Sequence, residues 1–132
     1  MRDHEIAHCA FIKDLLGKNA IEKIVPNFSA INFADRNSVL THAYQFEDLV
    51  ISAYIGAAEL FVNTSYAIEF AKMASVEARH SAYFRDIYTY NSFADSTVIS
   101  STGLDQSNTP SYVLSVAEGF SQTTFDARQL PN

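Results

Sequence analysis

The feature that most constrains this chain is a conflict repeated in three of its segments. Each carries apolar residues at helical spacing, and each breaks its own apolar stripe with an ionisable side chain. Over residues 3–16 the inward series reads Glu5, His8, Ile12, Leu15. Over residues 38–55 it reads Leu40, Ala43, Glu47, Val50, Tyr54, and over residues 65–90 it reads Phe70, Met73, Glu77, His80, Phe84, Ile87. Residues three apart lie about 60 degrees apart around a helix axis, so Glu5 with His8, and Glu77 with His80, point the same way. A buried carboxylate without a partner costs several kcal/mol, and a chain that sends three of them inward must neutralise them.

The remaining segments fill in the architecture. Asp3 is placed to cap the first helix and Gly17 to close it. Residues 18–37 hold Pro26 and scattered Asn, Ser and Asp, and read as a long crossover that can lay Phe28, Ile31 and Phe33 on a neighbouring surface. Asn37 or Ser38 caps the second helix, Gly56 marks the turn after it, and Thr64 or Ser65 caps the third. Residues 91–132 form a polar extension with one short helix over 110–118, Thr109 capping and Pro110 first, and then a loose tail. No strand pattern of useful length appears. The fold class expected is all-α: three main helices in a bundle domain over residues 1–90, plus the C-terminal extension.

Composition narrows the function. Of 132 residues, 48% are apolar and 18% charged, so the chain folds rather than staying disordered. A net charge of -6 opposes phosphate backbones and anionic lipid, which argues against nucleic acid and membrane partners. No secretory signal opens the sequence. With Cys9 the single cysteine, neither an intrachain disulfide nor a CxxC site exists, and any metal is left to His and carboxylates.

Two Glu-x-x-His motifs on separate helices plus a lone Glu on another match the ligand pattern of di-iron and di-manganese bundle sites. The segments Asp3-His4-Glu5-Ile6-Ala7-His8, Pro26 to Phe33, Phe46-Glu47-Asp48, Tyr54-Ile55-Gly56-Ala57-Ala58 and Ser75-Val76-Glu77-Ala78-Arg79-His80 together resemble the ferritin-like proteins of the desiccation-related and stress-response type. The resemblance implies an incomplete ferritin-like bundle in which Glu5 and His8, Glu47, and Glu77 and His80 are five of six metal ligands. It implies iron or manganese as cofactor, and a stress-related role. The family's first helix, with the sixth ligand, is expected to be missing. That predicts weak or absent cation binding, little ferroxidase turnover and an exposed apolar groove, open to a partner helix or a second copy of the chain. A non-catalytic interaction module using that groove is the alternative function, and the resemblance suggests export for full-length relatives.

Several residues carry rival readings. His4-Glu5-Ile6-Ala7-His8 also spells the His-Glu-x-x-His of zinc proteases, with His4 and His8 as ligands and Glu5 as base, but Val76 stands where a repeat would need the equivalent of His4. Glu47 rather than Asp48 is in phase with the buried stripe. His42 is off that phase and reads as a surface residue. Tyr54 reads either as a core tyrosine or as a hydrogen-bond donor to a ligand, and Glu118 either as a surface residue or as a replacement for the missing sixth carboxylate.

Overall fold

A computed structural model of the chain describes residues 1–126, 128 and 130. The helices are α1 (Arg2–Leu16), α2 (Arg36–Ala58), α3 (Thr64–Tyr88) and α4 (Pro110–Ala117). Among the described residues there is no strand, only two isolated bridges that join Pro26 to Ser121 and Ile99 to Asp105. The all-α expectation therefore holds. No helix among these residues is long and apolar enough to cross a membrane.

The helix starts differ from those expected, for a local reason. A capping residue needs extended backbone and an oxygen aimed at the amide two or three residues on. Asp35 meets that need two or three residues before the expected caps, with φ -109°, ψ 114° and its carboxylate accepting from the Asn37 amide at 2.9 Å. Asn63 does the same for α3, accepting from the Ser65 amide at 2.9 Å, in place of Thr64 or Ser65. Asp3 lies inside α1, whose cap position is Met1. Its charge still suits the positive end of the helix dipole. Thr109 and Pro110 open α4 as expected.

Gly56 corrects another expectation. It stands inside α2, which runs on to Ala58. A Cβ at this position would collide with the backbone carbonyl of Asn108. The approach is held by two bonds from Asn108 to Ser52, amide to carbonyl at 3.1 Å and Nδ2 to Oγ at 2.9 Å. The glycine is needed for a close crossing rather than a turn, and the crossing docks the C-terminal extension on α2.

That extension is also less loose than its polarity implies. The Asn27 amide donates to the Phe120 carbonyl and the Gln122 amide to the Val25 carbonyl, both at 2.8 Å, which ties residues 120–122 to the crossover. Beneath this strap Phe46 meets Phe120 edge to face, with centroids 4.7 Å apart, and Phe28 lies on Phe46. His42 belongs to the same cluster. Its ring packs against Phe120, and its Nδ1 is 2.7 Å from the Ser38 carbonyl, so it is half-buried and not a surface residue. Part of the tail expected to be loose, namely positions 127, 129, 131 and 132, lies outside the described residues.

The apolar core sits between α2 and α3, where Leu40, Ile51, Met73 and Ala74 are buried. Asp48 crosses the same interface to Arg85, with Oδ2 to Nη2 at 2.6 Å, while the Ser81 hydroxyl donates to Oδ1 and the guanidinium lies over the Tyr44 ring. By contrast α1 contains no fully buried residue, and Ile6 on it is 59% exposed. The chain exposes 9097 Å², whereas a compact monomer of this mass exposes about 6,900 Å². Most of α1 away from Glu5, His8, Ile12 and Leu15 is left exposed.

Substituting Gly56→Ala separates the two readings of that glycine. If the close crossing governs, the variant loses about 1–3 kcal/mol of stability in a urea melt despite its better helix propensity. An unchanged or raised midpoint would mean that Asn108 moves away without cost.

Candidate metal centre

Three helices position the site. In α1, Glu5, His8, Ile12 and Leu15 form the stripe that is shielded from solvent while the rest of the helix is exposed. In α2, Glu47 is half-buried, one residue before the Asp48 that pairs with Arg85. In α3, Glu77 is completely buried and His80 is 5% exposed. All five residues of the expected set are brought together.

Glu77 lies at the centre. One carboxylate oxygen is 2.7 Å from His8 Nδ1 and the other 3.0 Å from His80 Nδ1, so the side chain spans the two imidazoles. His80 Nδ1 is also 3.3 Å from Glu5 and 3.6 Å from Glu47. One donor atom from each of Glu5, Glu47, Glu77 and His80 falls within 4.8 Å of the others. Donors that close can converge on one cation, with oxygen and nitrogen chemistry suited to iron, manganese or zinc.

Three buried atoms at this point have no hydrogen-bond partner: Glu5 Oε1, Glu77 Oε2 and His80 Nδ1. Buried polar atoms are almost always paired, and three orphans aimed at one small volume are what a cation would satisfy. The residues present therefore fit a metal.

Electrostatics report the same crowding. Burial, followed by repulsion from Glu77 and then Glu5, raises the Glu47 carboxyl to about 8. Burial and Glu77 also raise Glu5. Without a cation, the cluster keeps part of its charge off by holding protons.

Tyr54 packs edge to face on Phe70, with centroids 5.3 Å apart, as a core tyrosine would. Burial, then the Glu77 and Glu5 charges, push its hydroxyl above the ordinary phenol range. Glu118 is exposed and supplies no carboxylate to the cluster.

One residue was missed as part of this cluster. His4 Nδ1 lies 2.9 Å from His80 Nε2. Its only prior signal was the His-Glu-x-x-His reading, which pairs it with His8 on one metal. The two rings are engaged separately, His8 on Glu77 and His4 on the outer nitrogen of His80.

The raised carboxyls set a pH dependence. Glu47 binds a proton in the folded state up to about pH 8 but releases it near the ordinary 4.5 when unfolded. Between those values the folded state holds more protons, so the metal-free protein loses stability as pH rises from about 4.5 to about 8. Thermal melts of chelator-treated protein should show a falling Tm across that window, and Glu47→Gln should flatten the fall. A Tm that climbs over the same range in the wild type would contradict the placement of Glu47.

A family model described as a ferritin-like domain matches residues 1–89. No curated protein and no solved structure matches the chain.

Proposed function

The chain belongs to the ferritin-like domain family, and from that premise we propose that Glu5, His8, Glu47, Glu77 and His80 hold one or two first-row divalent cations, iron or manganese. The single observation that carries the reading is the trio of orphaned atoms within one tight cluster of donors. Glu77, with an oxygen toward each imidazole, would hold the cations together with His8 and His80. When bound, iron would supply redox chemistry toward oxygen or peroxide.

The chain's own residues decide how far that chemistry goes. Glu77 and His80 are shut away from water and can exclude it from one side of the site, whereas the Glu5 side chain remains 44% exposed. A donor set left open to water at Glu5 holds cations more weakly than an enclosed one. Weak retention and little ferroxidase turnover follow. A protective, stress- or desiccation-related role is the biological reading of such a site, in which iron is kept from free peroxide.

Calorimetric titration of Fe(II) under nitrogen, or of Mn(II), tests the proposal. Wild-type protein should show saturable uptake approaching two ions, and a cation at 100 times its Kd should stabilise the fold by about 2.7 kcal/mol. Glu77→Ala should abolish the uptake. Heat of dilution alone in both proteins would end the metal reading.

A second reading is favoured by the exposure of α1. The surface exceeds that of a compact monomer by roughly 2,200 Å². A stable interface takes about 800 Å² from each partner, so a second copy of the chain has ample area to cover. The exposed face of α1 is the natural seam, since Ile6 and Ala10, and the charge pairs Arg2 with Asp14 and Asp3 with Lys13, are spaced symmetrically about His8. Two antiparallel copies would then set each charge against its opposite. Sedimentation should give a dimer at micromolar concentration, which Ile6→Glu converts to monomer. A wild type that sediments as a monomer at every concentration removes this reading.

A further inference from the structure

The five candidate ligands leave unexplained why a sixth ionisable side chain, His4, is in contact with the most buried imidazole of the site. The contact is specific. His4 Nδ1 and His80 Nε2 are 2.9 Å apart, the ring planes differ by 10°, and the centroids are 5.1 Å apart. The centroid separation exceeds the nitrogen separation by roughly the two ring radii, so the imidazoles meet edge to edge in one plane rather than face to face. That is the direction in which an N–H and a lone pair both lie.

The inner nitrogen of His80 determines what the outer one must do. His80 Nδ1 is buried, faces Glu77, Glu5 and Glu47, and has no hydrogen-bond partner. The Glu77 oxygen 3.0 Å away makes no hydrogen bond with it. To bind a cation at Nδ1, a neutral imidazole must present its lone pair there and carry its single proton on Nε2. The proton then needs an acceptor, and an outer acceptor fixes both the tautomer and the plane of a ligating ring. The atom in that place is His4 Nδ1.

We propose that His4 is the positioning residue of His80: it accepts the Nε2 proton and so keeps the Nδ1 lone pair of His80 aimed at the cation. The inference rests on the metal reading above. His4 is solvent-exposed and can keep its own proton on Nε2, facing water. Its place in the chain explains the reach. His4 directly precedes Glu5, so one turn of α1 sends a carboxylate to the inner face of His80 and an imidazole to its outer edge.

The test uses the full chain, with Zn(II) as a diamagnetic probe, and three proteins: wild type, His4→Ala and His4→Asn. In the Asn variant the side-chain oxygen stands where Nδ1 stood and can still accept. Long-range 1H–15N correlation spectra of zinc-loaded wild type should place the His80 proton on Nε2 and leave His4 Nδ1 bare. Competition with a chromophoric chelator should show His4→Ala binding Zn(II) about 10–100-fold more weakly, with most of the loss restored in His4→Asn. A proton on His4 Nδ1 in the loaded wild type, or equal affinity in wild type and His4→Ala, overturns the role of His4 while leaving the five-ligand site standing. Failure of the wild type to take up any cation overturns both. The spectra of the wild type need no substitution, so a His4→Ala protein that fails to fold does not block the test.

Discussion

A carboxylate with no exposed surface, set between two imidazoles, is the constraint around which this molecule is arranged. Glu77 occupies the middle of α3 where an apolar residue would keep the stripe unbroken. Its burial is tolerable only because His8 reaches it from α1 and His80 from one turn further along its own helix. Remove those partners and the same position becomes an uncompensated charge in the interior. Much of what ties α1 to the α2–α3 pair is therefore polar. His4, Glu5 and His8 all end on α3 side chains, while no residue of α1 is fully buried.

This division separates stability from chemistry. The α2–α3 pair has its own apolar core at Leu40, Ile51, Met73 and Ala74, and a second polar crossing at Asp48 and Arg85. That ion pair is satisfied within the protein, with the guanidinium shared among Asp48, Thr97 and the Tyr44 ring. The Glu77 cluster is the opposite case, with three atoms left over. Adjacent residues on α2, Glu47 and Asp48, thus serve different ends. One contributes to a site that lacks something, and the other completes a contact that lacks nothing.

The C-terminal extension and the crossover brace this arrangement from outside. Asn108 grips α2 at Ser52 and Gly56, about one and a half and two and a half turns beyond Glu47, while Phe28 and Phe120 cover Phe46 beside it. A helix that must present Glu47 inward at a set height is held by Phe28, which precedes it in the chain, and by Asn108 and Phe120, more than fifty positions further on. The polar character of the extension hides this, because part of its grip is made by backbone carbonyls and amides, which every sequence possesses.

What could be read from the chain alone was the direction of side chains along each rod. Helical periodicity assigns Glu5, His8, Glu47, Glu77 and His80 to inward faces because rise and rotation per residue are fixed by backbone hydrogen bonding, whatever the neighbours. Periodicity also chose Glu47 over Asp48 for the cluster. It could not foresee that His4, about 100 degrees from Glu5 around α1, would reach around to His80. Nor could it see that Gly56 answers to a carbonyl 52 residues away, or that Asp35 and Asn63 would take the caps from their neighbours. Those outcomes depend on which rod lies beside which, at what height, and how far apart. Only the packed chain settles such distances, because contacts between remote segments arise from mutual fit and not from any local rule of spacing.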